Sequence, residues 1–262
     1  MSEIRVGERV PTIEESSIAL RKLISIWEGQ NRGCTVEIPM VEGLPLAGIT
    51  IYIMAKHSIA LSESVLALTF QNMFLQSVPL MRLTMECAVT AAWLSVTPNA
   101  GNAARHEDAR NRLATIRSIF EDPERIDDEL LADATSAVSE LSEHKADAAR
   151  NFEKRCKSIA GGEKIYVLYR TLSGHSHAGI GLADLYLAKV EDTAENPYGV
   201  SLLDKPNYPL ANADLVQQVG MLALALTAWD NIQPTHPSRV VLEAIAKDFG
   251  FGLGISLVTA NL

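Results

Sequence analysis

Apolar residues recur at intervals of three and four along most of the chain, a spacing that is typical of α-helices. The first such stretch follows Pro11 and ends near Gly29. Thr12 followed by Glu15 has the spacing of a capping box, which marks a helix start. The apolar stripe of this helix is formed by Ile13, Ala19, Leu20, Leu23, Ile26 and Trp27. The pattern therefore predicts a first helix with one face turned towards a core.

Helical periodicity continues through the rest of the sequence, and it predicts an all-α bundle of about seven or eight helices. Pro79 fits the first turn of one long apolar helix, where its missing N–H is not needed. The later helices are expected at about Ala47–Gln71, Ser77–Val96, Ala100–Phe120, an Ala- and Glu-rich stretch after residue 120, Glu163–Ala178, Ala211–Ile232 and Pro237–Phe249.

No linker or repeat divides the chain, so residues 1–262 are predicted to form a single all-α domain. Residues 30–46, with Gly, Pro and short β-like runs, are expected to be an irregular connection that holds a small hairpin at most. Residues 190–210 contain three prolines and read as a second irregular connection. Long ordered loops often cover a functional site, and a plain surface connection is the alternative. Residues 250–262 are Gly-rich at their start and predicted to be a flexible tail.

Composition limits the possible binding partners of the protein and its expected cellular compartment. The net charge is −9 and no Lys/Arg-rich run occurs, which disfavours a broad nucleic-acid-binding face but allows a local basic pocket. The three cysteines are far apart, as expected for free thiols in a reducing compartment. The N-terminus lacks an apolar signal core, and charges or prolines interrupt the apolar stretches. We therefore expect a cytoplasmic protein without membrane contact.

Two charged residues stand out on the apolar helix "PLMRLTMECAVTAAWL". Arg82 and Glu86 are four residues apart and therefore share a helix face. Because most of their neighbours are apolar, we expect both to be partly buried. They could form a structural ion pair between helices. Alternatively, Arg82 binds the anionic group of a ligand and Glu86 acts as a base or ligand contact.

A second polar group lies in "YVLYRTLSGHSHAG", Tyr166–Gly179. Arg170, Ser173 and His177 fall in one stripe of a helix, and Tyr169 is four residues before Ser173. His175 points away from Arg170 by roughly 140° unless the helix breaks at Gly174. The stripe predicts a functional site, and a polar network at the end of a buried helix would give the same pattern.

Other chemistries leave weaker signals. The "HSH" at 175–177 suggests a metal pair, but residues two apart diverge on a helix, and no E-x-x-H motif accompanies it. We therefore predict no metal and no cofactor. Ser173 and His177 have nucleophile–base spacing, for which Glu86 would have to supply the acid from another helix.

The motifs R-x3-E and Y-x3-S-x3-H together resemble a family of uncharacterised bacterial helical proteins of unknown function. In this chain they comprise Arg82, Glu86, Tyr169, Ser173 and His177, and the resemblance covers roughly residues 45–182. It implies a helical fold and a site at these residues, but it implies no reaction. Separately from the resemblance, we expect Arg82, Tyr169 and His175 to be ligand contacts.

A second resemblance is to HEPN-type ribonucleases, which carry an R-x4–6-H motif on a late helix. Arg170 has His175 and His177 at these spacings, although Thr171 stands where that family has Asn, Asp or His. The resemblance implies metal-independent RNA cleavage in a homodimer, with His177 as general acid or base and Arg170 stabilising the phosphate. The alternative is a non-catalytic bundle that binds a small polar ligand or a protein partner.

Overall fold

The computed structural model describes residues 9–31, 37–40, 45–119 and 128–258. It is mainly α-helical, with 71% of residues in helices, as predicted. The prediction of seven or eight helices is wrong, because the described residues form eleven. The helices are α1 Ile13–Asn31, α2 Pro45–Phe70, α3 Phe74–Val96, α4 Ala100–Ile119, α5 Asp128–Glu140, α6 Asp147–Arg150, α7 Phe152–Ser158, α8 Gly162–Ser176, α9 Ile180–Asp184, α10 Ala211–Ile232 and α11 Arg239–Asp248.

The extra helices are short segments on either side of α8. Asn151 separates α6 from α7 in an extended conformation, and its side chain accepts a hydrogen bond from the backbone N–H of Lys154, which starts a new helix. Gly161 then adopts a left-handed conformation (φ 79°) before α8. The next residue, Gly162, has no room for a side chain, since a Cβ there would lie 1.9 Å from the carbonyl oxygen of Cys156. These local breaks explain why a continuous helical pattern folds as several helices.

Helix α3 lies at the centre of the structure and packs against α2, α7, α8 and α10. Its buried side chains include Met85, Val89 and Trp93, and α10 contributes Leu215, Leu222 and Trp229 to the same core. One polar group crosses this core, where the Gln218 amide donates hydrogen bonds to Ser62 (2.8 Å) and Thr84 (3.1 Å). Polar residues on the packed faces of α3 therefore lie beside another helix.

The first helix carries a feature that the sequence indicated, whereas the second helix is apolar over a longer stretch than we expected from the sequence. At the start of α1, the Thr12 backbone N–H donates to the Glu15 carboxylate (2.8 Å), and the Glu15 N–H donates to the Thr12 hydroxyl (3.2 Å). The predicted capping box is therefore confirmed. Helix α2 is long and apolar enough over Leu46–Phe70 to cross a membrane, with 39% of its most apolar window buried. A core helix in a soluble protein meets the same criteria, so the cytoplasmic location stays a prediction.

The second predicted connection contains regular structure. Strand β1, Leu187–Lys189, pairs antiparallel with β2, Val200–Leu202, so part of the 190–210 segment is a hairpin rather than irregular chain. The Asn207 N–H then donates to the Leu185 carbonyl (2.8 Å), which holds the following loop against the end of α9. In the 30–46 connection, residues 37–40 have no regular structure, while residues 32–36 and 41–44, where the small hairpin was considered, lie outside the described residues.

The chain after α11 is anchored, which corrects the prediction of a flexible tail from residue 250. The Ala160 N–H donates to the Ser256 carbonyl (2.9 Å), and the Val258 N–H donates to the Ser158 carbonyl (3.0 Å). Phe251, Leu253 and Ile255 also pack against the core. The final residues, 259–262, lie outside the described part of the chain.

A buried carboxylate joins α10 to α11. Asp230 accepts hydrogen bonds from the Ser238 backbone N–H (2.8 Å) and from the Arg239 guanidinium (3.1 Å). The Asp230 side chain has no exposed surface. It therefore holds the N-terminus of α11 against the end of α10.

Candidate functional site

Three of the predicted site residues meet where α3 packs against α8. The guanidinium of Arg82 donates to the hydroxyl of Tyr169 (2.5 Å), and this hydroxyl donates to a carboxylate oxygen of Glu86 (2.9 Å). Arg82 and Glu86 also approach each other directly, at 3.2 Å. We call this set the Arg–Tyr–Glu bridge. It arises because Arg82 and Glu86 are one turn apart on α3 and Tyr169 faces them from α8.

The bridge is only partly shielded from water. The side chain of Arg82 is 25% exposed and that of Glu86 is 34% exposed. The expectation that both are partly buried is therefore correct. A guanidinium has five donors and a carboxylate can accept several hydrogen bonds, so the contacts within the bridge leave further hydrogen-bonding capacity on both side chains. A cationic donor and an anionic acceptor thus lie side by side.

Aromatic rings surround the bridge. The Arg82 guanidinium lies over the ring of Tyr169 with its central carbon 4.8 Å from the centroid. The ring of Phe152, from α7, packs 4.3 Å from that of Tyr169. Tyr166, one turn earlier on α8, lies nearly parallel to Tyr169 at 6.1 Å. All three rings are half-buried, so they form an apolar wall beside the charged groups.

A second arginine lies behind the bridge on α7. Arg155 donates to the hydroxyl of Thr90 (2.8 Å) and to the backbone carbonyls of Ala148 and Ala149 (2.9 and 2.5 Å). Its guanidinium lies 5.4 Å from the ring of Trp93. Burial lowers the pKa of Arg155, and the charge of Glu86 partly offsets this. These bonds to backbone and hydroxyl groups anchor α6 and α7 on α3, and so position Phe152.

The remaining residues of the α8 stripe are not part of the bridge. The hydroxyl of Ser173 donates to the carbonyl of Tyr169 in its own helix (2.8 Å). Arg170 is exposed, and His177 is exposed at the C-terminal end of α8. Glu86 is bonded to Tyr169 rather than to either of them, so Ser173, His177 and Glu86 are not linked as a nucleophile, base and acid.

The two histidines face different surroundings because α8 continues through Gly174 to Ser176. His175 is half-buried, and its ring packs edge-on against that of Tyr208 at 5.4 Å. The Tyr208 hydroxyl in turn donates to the carboxylate of Asp214 on α10. Asp214 is 5% exposed, and burial raises its pKa, an effect that the hydrogen bond from Tyr208 partly offsets. Within the described ranges, no group of three His, Cys, Asp or Glu side chains is placed to hold a metal ion.

Sequence reasoning missed Phe152, Arg155, Tyr208 and Asp214. The signal for Asp214 was present, since it lies with Gln218 four residues later on a helix as apolar as that of Arg82 and Glu86. Tyr208 lies in the Pro-rich connection that was considered a cover for a site, and it does contact the end of α8. Nothing in the sequence indicated a role for Phe152 or Arg155, because the positions of their side chains depend on the helix break at Asn151.

The fold and the bridge define a mainly α-helical protein with a polar site between two packed helices. Comparison with protein families matches residues 49–195 to the family of unknown function DUF5677. This match covers more than half of the chain and includes the whole Arg–Tyr–Glu bridge, so the protein belongs to that family. The predicted membership in an uncharacterised helical family is thereby confirmed. No curated protein and no solved structure matched the chain. The resemblance to HEPN ribonucleases stays a prediction.

Proposed function

We propose that the protein is a binding bundle whose Arg–Tyr–Glu bridge recognises a small, flat polar ligand. The observation that carries this proposal is the pairing of Arg82 with Glu86, 3.2 Å apart and each partly exposed. Together they offer a hydrogen-bond donor beside an acceptor. A ligand with an acceptor and a donor on one edge complements both at once, as the edge of a nucleobase or an amide does.

The aromatic wall supports a flat ligand rather than a bulky one. Tyr166 and Phe152 are half-buried beside the bridge, and aromatic side chains of this kind favour planar partners. Charged groups at the edge of an apolar wall orient a ligand, while the wall supplies contact area. A nucleoside combines these features, and it is the ligand class we favour.

Ligand-observed NMR with the four ribonucleosides tests this proposal. We expect saturation transfer from the wild-type protein to at least one nucleoside, and its loss in the Arg82→Gln and Glu86→Gln variants. Lys164→Gln is the control, because Lys164 is exposed on α8 and has a similar flexible charged side chain. Equal binding by wild type and Arg82→Gln would contradict a role for the bridge.

A second candidate function is cleavage of single-stranded RNA, and the exposure of Arg170 on α8 and of His177 directly after this helix favours it. They are seven residues apart, about 10 Å along the helix axis, so a strand lying along α8 could contact both. Arg170 would bind the phosphate and His177 would act as general acid or base. In this proposal two copies of the chain form a homodimer.

Incubation of the purified protein with RNA in EDTA tests this second candidate. Cleavage should persist without metal and fall about 10²–10⁴-fold in His177→Ala, whereas His175→Ala should do much less. Intact RNA with the wild-type protein would count against cleavage. Sedimentation as a monomer at the assay concentration would count against the homodimer.

A further inference from the structure

We infer that a second binding site lies between α1 and α2 and takes an organic ammonium ion with an apolar body. An open groove of about 290 Å³ separates the end of α1 from the middle of α2. It shares no residue with the Arg–Tyr–Glu bridge. Its α2 side carries Tyr52, Lys56 and Glu63, and its α1 side carries Trp27, Glu28 and Asn31.

The groove has an aromatic wall. The rings of Trp27 and Tyr52 stack at 5.2 Å with an angle of 29° between their planes. Trp229 supports both from the core, with its ring 6.4 Å from that of Trp27 and 5.1 Å from that of Tyr52. This support fixes the wall, so it is formed before any ligand arrives. Tyr52 is the partly exposed ring of this wall, because Trp27 is only 6% exposed, and aromatic rings attract cations as well as apolar groups.

Hydrogen-bond acceptors dominate the polar lining. Glu28 is half-buried and Glu63 is exposed, and both carry a negative charge into the groove. The Asn31 amide nitrogen already donates to the Trp27 carbonyl (2.9 Å), and its oxygen receives no hydrogen bond from the described residues, so it can accept one. An ammonium group, which only donates, suits these acceptors.

The net charge of the described residues that line the groove also favours a cation. Lys56 is its one positive group against two carboxylates, which leaves a net charge of about −1. Within the described part of the chain, none of these three side chains forms an ion pair. The carboxylates are therefore available to an ion from solution, and the protein's net charge of −9 helps to attract one.

Calorimetric titration of the full chain with three small aromatic compounds of similar shape but different charge tests this inference. Benzylammonium should bind saturably, neutral benzyl alcohol at least fivefold more weakly, and benzoate not measurably. Glu28→Gln and Glu63→Gln should each weaken benzylammonium about two- to fivefold, the range of partly exposed ion pairs. Lys56→Gln should strengthen it by a similar factor.

Glu14→Gln provides the matched control, because Glu14 is exposed at the other end of α1 and outside the groove. It should leave the affinity for benzylammonium unchanged. Benzoate binding as tightly as benzylammonium would overturn the inference, and so would equal binding of benzyl alcohol. The inference would also be overturned if Glu28→Gln and Glu63→Gln both left the affinity for benzylammonium unchanged.

Discussion

Removal of one hydroxyl group should measurably weaken the junction of α3 and α8. Tyr169→Phe keeps the ring that packs against Phe152 but deletes the group that joins Arg82 to Glu86. Hydrogen bonds to charged groups contribute about 1.5–3 kcal/mol. Because both charged side chains are partly exposed, water replaces part of what they lose. We therefore expect the free energy of unfolding to fall by about 1.5–2 kcal/mol.

Urea denaturation followed by circular dichroism measures this loss, provided that the dependence on urea concentration stays the same. Tyr198→Phe is the control, since Tyr198 is 85% exposed and its hydroxyl should matter little. Combining Tyr169→Phe with Glu86→Gln in a double-mutant cycle should give a coupling of about 0.5–1.5 kcal/mol. A loss below about 0.5 kcal/mol for Tyr169→Phe, with no coupling, would refute the bridge as a stabilising contact.

Three further predictions concern buried groups. Burial raises the pKa of Asp214, so the folded state holds its proton more tightly than the unfolded chain does, and the free energy of unfolding should fall as the pH rises above the ordinary value of 3.8. Asp214→Asn should remove this contribution to the pH dependence. Urea denaturation between pH 3.5 and 7, roughly the range of carboxyl titration, measures it, and the same pH dependence in wild type and Asp214→Asn would contradict the effect of burial. Asp230→Ala should cost about 1–3 kcal/mol in the same assay, because it leaves the buried backbone N–H of Ser238 unpaired and removes the contact with Arg239, whose side chain is 37% exposed. A cost below about 0.5 kcal/mol would contradict the role of Asp230 in holding α11. Burial raises the pKa of Cys87 to about 11 and of Cys156 to about 12. In a Cys34→Ser background, an aromatic disulfide reagent near pH 8 should therefore label neither thiol before denaturant is added, and rapid labelling of the native protein would contradict their burial.

The central helices could be predicted from the sequence because their apolar patterns are long and uninterrupted. The pairing of Arg82 with Glu86 followed from helix geometry alone, since four residues make about one turn. Tyr169 was singled out together with them by the motif, although periodicity could not show that α8 packs on α3. That packing depends on contacts between residues more than 80 positions apart.

The short helices and the hairpin escaped prediction for local reasons. A single residue, Asn151, ends one helix and caps the next, and a helical pattern on both sides conceals such a break. The tail was misjudged because its glycines suggested flexibility, whereas its hydrogen bonds to Ser158 and Ala160 are non-local. The face of His175 followed correctly from the helical period, but its contact with Tyr208 depends on a loop that periodicity does not describe.

The most direct test of the proposed ligand site is the NMR signal of the Arg82 side chain during titration with a nucleoside. The guanidinium resonances, assigned from their loss in Arg82→Lys, should shift in a saturable way as the ligand's acceptor replaces water at the bridge. The Arg239 guanidinium, which is bonded to Asp230, should stay unchanged. Saturable binding that leaves the Arg82 resonances in place would contradict recognition by the Arg–Tyr–Glu bridge, and so would the absence of binding by all four ribonucleosides.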